Sequence, residues 1–441
     1  MGKLESYRHS IRVKIVSAPK RVREAASQRP AGTAYLYVES LVAWIGTGLY
    51  LTGSIFFFTR FVGLSPEQVG AGLTAAGIAG LAVNALAGRV IDATDARSVA
   101  MIAGIARAGM AILLIYAGSF IAFILLVTLL SISNRVREIA IGKLVANLAV
   151  GQNRVGVSAF IHTFSNTGFL IGAVLCGVTL GFDSSIAYCL MMLAYAATAV
   201  ISVLSISKVP KSERHSVTKY SPNERTQSAI RDLPYLTIAM LCGVLMISDT
   251  VLTAGLPLLI SNNQSIPSSV APSLVALNTV LVIAFQVRAS RNVGGAQTSQ
   301  RRIRQAGFTG AIACVLCGGA AMGTSVVAVA FLFAGVIVLT VGELLQTPTS
   351  WDLRYRLAPE SKQGEYGGMF QLASGIPQAI APGLLTLLIT QTTFWAWVVL
   401  AGLHVVLIML AGPCIAWVEA TRSQIRHPQG AVTIHGLESR S

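Results

Sequence analysis

The chain has 441 residues, 54% hydrophobic and only 12% charged, with a formal net charge of +15 and a mean hydropathy of +0.67. A soluble domain carries about 25% charged residues, so a soluble globular protein is excluded. Nucleic-acid binding needs basic residues clustered on a folded soluble face, and no stretch of the chain is polar and long enough to form one.

Residues 1–33 form a basic amino-terminal segment with no long apolar core, so no cleavable signal peptide is read there. MGKLES fits the spacing of a myristoylation signal, but a polytopic chain needs no lipid anchor. Twelve apolar runs follow, at roughly 35–59, 71–88, 98–118, 120–142, 157–180, 184–206, 234–260, 272–289, 306–322, 325–346, 365–389 and 393–416. Each approaches the length that crosses a bilayer as a helix, and helices satisfy their own backbone groups in lipid. The alternation of a membrane barrel is absent. The expected fold is an all-α integral membrane protein with twelve transmembrane helices.

The polar stretch 207–232, SKVPKSERHSVTKYSPNERTQSAIRD, separates six spans from six and reads as a solvated linker. The expected organisation is a six-helix bundle over 34–206, the linker, a second bundle over 233–417 and a tail over 418–441. Of the 33 Lys and Arg, only Arg60 falls on the face opposite the linker. Arg89, Arg97, Arg107, Arg135, Arg137, Lys143 and Arg154 are placed in or beside loops on the linker side. The positive-inside rule then puts both termini in the cytoplasm of a multi-pass plasma-membrane protein.

Ionisable groups at membrane depth are costly, which makes each a functional candidate. Glu39 lies one turn into span 1, close enough to the interface to be partly wet. Span 4 carries SNRVREIA, where Arg135, Arg137 and Glu138 either tune a nearby carboxyl or sit at the interface if the span ends early. Asp249, in ISDTVLTAGLP of span 7, is the foremost candidate. It is either a proton carrier, because burial disfavours a carboxylate, or a cap for a helix break ahead of Pro257. Glu343, near the inner end of span 10, reads as part of an inner gate. Asn166, Asn278, Gln286, Gln371 and Gln378 are polar groups on spans 5, 8 and 11, some lining a cavity and others bridging helices. Cys314-x-x-Cys317 lies inside span 9 without a second pair and reads as packing. His162 and His404 are lone span histidines, so no metal site is expected. No Gly-Lys-Ser/Thr loop and no hydrolytic constellation is present, so neither ATP use nor enzymatic activity is expected, and no cofactor.

The turn GRVIDATDARSV (88–99) carries Gly88-x-x-x-Asp92-x-x-Asp95-x-Arg97. It resembles the loop 2–3 signature of the major facilitator superfamily, although Ala93 and Asp95 replace the usual Arg and Gly. The resemblance implies a latch in which Gly88 permits close approach and Asp92, Asp95 and Arg97 pair with neighbouring charges or helix dipoles. The halves also align: Arg107-Ala108-Gly109 falls on Gln305-Ala306-Gly307, and SNTGFLIGAVLCG on QLASGIPQAIAPG. In the second-half counterpart, QVRASRNVGG, Ser290 stands where Asp92 does. Two parallel six-helix repeats, with substrate bound between them, are the superfamily's architecture.

GELLQTP (342–348) and APESKQGEYGGMF (358–370) resemble a run common in drug:proton antiporters of that superfamily. Gly168-x-x-x-Gly172 resembles the antiporter glycine motif, with Ala173 in place of its proline; close packing through small residues explains it equally. NTVLVIAFQVRASR (278–291) is similar to an actinobacterial branch. The resemblance implies export of a small amphipathic or lipophilic drug or natural product in exchange for protons, with antibiotic resistance as the associated trait. The alternatives are import of a small nutrient, with Asp249 as counter-ion, and a non-transporting membrane receptor. The expected partners are a small-molecule substrate, protons and the lipid bilayer, and the expected working unit is a monomer.

Reporter fusions after Ser207, Val293 and Ser361 are expected to read cytoplasmic, and those near Gly63, Asn263 and Thr392 external. An external linker would overturn the twelve-span assignment.

Overall fold

The computed structural model describes residues 32–149, 152–182, 184–210, 228–263, 265–267, 269–322, 325–391 and 393–426. MGKLES, nearly all of the basic amino-terminal segment, most of the linker and the end of the tail lie outside them. The described residues form helices and no strand. Twelve of these helices are long and apolar enough to cross a bilayer.

In chain order they are α1 (Thr33–Phe56), α2 (Pro66–Ala93), α3 (Ala96–Ile115), α4 (Phe120–Leu148), α5 (Gln152–Phe182) and α6 (Ser185–Ser207). The second six are α7, in pieces from Leu233 to Asn262, α8 (Val270–Ala289), α9 (Ala296–Met322), α10 (Ser325–Leu357), α11 (Gln363–Gln391) and α12 (Thr393–Arg426). Side chains start several of them. Ser65 and Gln68 close a capping box ahead of Pro66, and Ser119, Ser184 and Asp232 accept backbone N–H groups at the starts of α4, α6 and α7.

Several helices overrun the apolar runs. α9 begins about three turns before the run at 306, and α10 continues to Leu357. Hydropathy detects only the part of a helix that lipid touches, whereas charged turns extend it where they find partners. Arg356, for example, bonds Asp352 at 3.0 Å and also Glu419 of α12.

Two helices carry a wide turn. α1 continues into the π turn Phe57–Phe61. α7 is broken into Leu233–Leu245, Ile247–Thr250, the π turn Val251–Gly255 and Leu256–Asn262. Both are the first helices of their repeats.

Within the first six, α1 packs on α5 and α6, α2 and α3 on α4, and α3 on α6; within the second six, α9 packs on α10 and α12, and α7 on α11 and α12. Each half buries its own apolar clusters, centred on Leu49, Phe58, Phe123 and Tyr195 in one and on Leu256, Cys314, Cys317 and Trp397 in the other. Backbones meet most closely between α1 and α5. A Cβ on Gly168 would lie 2.3 Å from the Leu41 carbonyl oxygen, and one on Gly172 2.1 Å from that of Ile45. The glycine pair is a notch that lets α1 lie against α5.

Across the halves, α2 packs on α11 and α5 on α8. Along one face of α2, Gly88, Asn84 and Leu81 meet Gly364, Gly368 and Gly375 of α11. Farther along the same face, a Cβ on Gly77 or Gly70, or on Gly383 of α11, would meet nothing within 4 Å. α2 and α11 therefore touch at the end that carries the 88–99 turn and leave open space beside Gly77, Gly70 and Gly383.

Gly172→Leu drives a side chain into backbone, and overpacking of this kind costs about 1–3 kcal/mol. The variant is expected to lower the melting temperature in detergent, while Gly177→Leu, where a Cβ would meet nothing within 4 Å, leaves it unchanged. Equal melting temperatures would refute the notch.

Candidate functional site

Three groups of polar side chains stand out against the apolar helices. The first lies where the halves touch. The Asp92 carboxylate accepts the backbone N–H groups of Gly364 (2.8 Å) and Glu365 (2.6 Å) at the start of α11. Lys143 of α4 pairs with it at 2.8 Å. An anion at a helix amino terminus is favoured by the exposed N–H groups and the dipole there. Gly88 makes this possible, because a Cβ on it would lie 2.3 Å from the Gly364 carbonyl oxygen. Beside it, Glu365 accepts from Arg89 (3.4 Å), Ser228 (2.8 Å) and the Ala229 N–H (3.2 Å). Arg154 of α5 holds Glu360 through two nitrogens at 2.9 and 2.7 Å.

Asp95 and Arg97, expected with Asp92, do not reach α11. Asp95 caps α3, accepting from the N–H groups of Arg97 and Ser98 and from the Ser98 hydroxyl. Arg97 donates to the Ser207 carbonyl at the end of α6, inside its own half. The local cap takes Asp95 because its own helix start is nearer than any partner.

The second group is in the first half. Glu39 is fully buried, not partly wet as expected from its place in the chain. Its side of α1 faces α4 and α6, and Arg137 and Ser202 (2.8 Å) both donate to its Oε1. α4 runs unbroken past SNRVREIA to Leu148, which turns Arg137 inward and leaves Arg135 paired with Glu138 at 3.2 Å, half-exposed.

Arg107 was expected beside a loop. It lies instead inside α3, fully buried, and none of its side-chain nitrogens has a hydrogen-bond partner. Its guanidinium stands over the Tyr195 ring at 5.4 Å, and Tyr195 stacks on Tyr50 at 5.0 Å. A cation over an aromatic face recovers up to about 2 kcal/mol when desolvated.

The third group is in the second half. Glu343 lies three residues before the end of the apolar run of its span, and α10 continues beyond it to Leu357. Asn278 of α8 donates to Glu343 at 2.9 Å and to Thr340 at 3.0 Å. Asp249 of α7 is close enough to interact electrostatically with Glu343, and neither carboxyl has an ion pair among the described residues. Asp249 does not cap the break ahead of Pro257, since neither the π turn Val251–Gly255 nor the piece Leu256–Asn262 has a side-chain cap bond. The Asp249 side chain keeps exposed surface.

The remaining candidates scatter. Asn166 bonds His162 at 3.3 Å, whose ring meets Trp351 of α10 at 5.5 Å. Gln378 donates to Ser374 O at 3.1 Å and to Met246 Sδ at 3.4 Å, linking α11 to α7. Gln371 Oε1 is buried without a partner, as are both polar atoms of Gln286. Among the described residues no cluster of His, Cys, Asp and Glu has the makings of a metal site. Sequence reading missed Lys143, Arg154, Glu360 and Glu365 at the contact between halves. The APESKQGEYGGMF run held the signal for the two glutamates.

Comparison with known proteins bears on this arrangement. Residues 40–382 match the family profile described as Major Facilitator Superfamily. No curated protein matches the sequence significantly. Among solved structures, a bacterial homologue of the iron transporter ferroportin, in an outward-facing state, aligns with a TM-score of 0.68 at 18% identity, covering 88% of this chain and 99% of that one. The human organic anion transporter MFSD10 (TETRAN) gives 0.66 at 15%, covering 87% and 100%. The fucose:proton symporter FucP of E. coli gives 0.64 at 16%, covering 87% and 98%. At such identities the likeness shows the fold alone.

Asp92→Asn keeps the shape of the side chain and removes its charge. It is expected to slow transport turnover while leaving substrate affinity within about tenfold, or about 1.4 kcal/mol. A larger affinity loss with unchanged turnover would show that Asp92 serves binding instead.

Proposed function

We propose that this chain, which belongs to the major facilitator superfamily, exports a small amphipathic or lipophilic compound in exchange for protons. As a member of that family it is a multi-pass membrane transporter and not an enzyme. In the proposed cycle, bundles 34–206 and 233–417 rock about a site between them, with both termini and the linker in the cytoplasm of the plasma membrane. The contacts of Gly88 and Asp92 with α11 then close the cytoplasmic side.

One observation carries the proton assignment: Asp249 and Glu343, two acids inside apolar spans of the second half, have no ion pair among the described residues. Two neighbouring carboxyls without a counter-charge can hold one proton between them. Glu39 differs, because Arg137 already balances it. The pair is therefore the exchangeable site and Glu39 a fixed structural anion. Asn278 orients Glu343 through its hydrogen bond. Gln371 and Gln378 on α11, and Asn166 on α5, supply the polar contacts along the substrate path.

The exported class follows from the lining. An acid that gives up its proton on an otherwise apolar path suits a neutral or cationic apolar molecule, whereas sugars need dense polar groups and phosphates basic ones. Alternating access lets proton and substrate use the site in turn.

In vesicles with an imposed pH gradient, Asp249→Asn is expected to cut gradient-driven transport of a lipophilic cationic dye at least about tenfold, while downhill exchange persists. Glu39→Gln is expected to act on stability instead, since it strands Arg137 in the core, at a cost of about 3–5 kcal/mol. Full gradient-driven transport by Asp249→Asn would overturn the proton assignment.

A further inference from the structure

A groove of about 760 Å³ opens between α9, α10 and α12, and neither Asp249 nor Glu343 lines it. One face of α9 forms its floor. Arg301 and Arg304 lie at the end nearest the start of the helix, with Gln300 beside them, and Phe308 follows one turn farther in. Leu345 of α10 and Ile408 of α12 flank it. The groove thus has a basic end and an apolar end, and about 10 Å of helix separates Arg301 from Phe308.

The basic end has charge without compensation. Arg301 and Arg304 are exposed, no carboxylate lines the groove, and neither arginine has an ion pair among the described residues. α12 leaves them space. A Cβ on Gly412 would lie 2.7 Å from Gln300 Nε2 and 3.0 Å from Arg304 Nη2, so the glycine leaves the room that these side chains occupy. Phe308, 62% exposed, has no protein partner to cover it on the lipid side.

We propose that this groove binds one anionic glycerophospholipid. Its phosphate sits between Arg301 and Arg304, and one acyl chain runs over Phe308 between Leu345 and Ile408. Arginine matches phosphate oxygens with a planar fork of donors. Basic pockets between transmembrane helices recognise anionic headgroups in this way. The order of groups fits a lipid and no soluble anion, because the apolar end adds contact only for a ligand with a chain. A neighbouring groove of about 470 Å³, lined by Leu281, Phe285 and Arg288, has one arginine and serves as the internal comparison.

The test reconstitutes the full chain in equal mixtures of phosphatidylglycerol and phosphatidylcholine and counts retained lipid by native mass spectrometry. Phosphatidylglycerol is expected to be enriched about tenfold on the wild type, to fall to parity on R301Q/R304Q and to remain enriched on R288Q. In parallel, Phe308→Trp, with both arginines intact, is expected to be quenched more strongly by brominated phosphatidylglycerol than by brominated phosphatidylcholine. Inorganic phosphate is expected to displace neither signal. Equal quenching by the two lipids, unchanged enrichment on a folded R301Q/R304Q, an equal loss on R288Q, or displacement by inorganic phosphate would each overturn the proposal; the last would assign a soluble-anion site.

Discussion

A carboxylate taken out of water must find its counter-charge within the protein, and Glu39 meets that demand at full burial. Arg137 comes to it from α4 and Ser202 from α6, so one side chain of α1 fixes the rotation of two other helices. Arg107 brings in α3 through the face of Tyr195. In lipid the hydrophobic effect does not favour one helix pairing over another, and polar bonds and close backbone contact select the arrangement. The glycine notch between α1 and α5 supplies the second of these.

The second half meets the same constraint differently. Two of its acids inside apolar spans, Asp249 and Glu343, have no ion pair among the described residues, and Asn278 donates to Glu343. In the proposed reading this asymmetry divides the work: the first half holds its charge permanently, and the second takes up and gives off a proton. The contact between halves is also one-sided. Asp92 reaches across from the last turn of α2, while the hydroxyl of its counterpart Ser290 donates to the Val287 carbonyl at the end of its own helix.

The twelve helices could be read from apolar runs because lipid demands that length and that composition. Their ends could not, since charged turns such as Asp352-x-x-x-Arg356 continue a helix where neighbours accept them. The site was legible where burial alone decides. Asp249 and Glu39 are conspicuous as acids inside apolar runs, and Asp92 stands in a recognisable turn. It was illegible where the partner decides. Which of Arg135 and Arg137 turns toward Glu39 depends on the rotation of α4. Nothing in the sequence around Arg107 announces that a tyrosine on α6, and not water, will face it. Asp92 and Asp95 both read as latch residues, and the three-dimensional contact with α11 separates the one that bridges from the one that caps.

The π turns in α1 and α7 bear on how positions along these helices are compared. A π turn accommodates one residue more than the surrounding α-helix, which rotates everything beyond it by about 100° relative to an uninterrupted spiral. Asp249 lies just before the turn Val251–Gly255, and Pro257 and Leu259 lie after it. A helical wheel drawn through the whole of span 7 therefore assigns the outer residues to the wrong flank. Labels or cysteines placed by that wheel to map the lining would report on packing surfaces beyond Gly255 and on the cleft only before Val251.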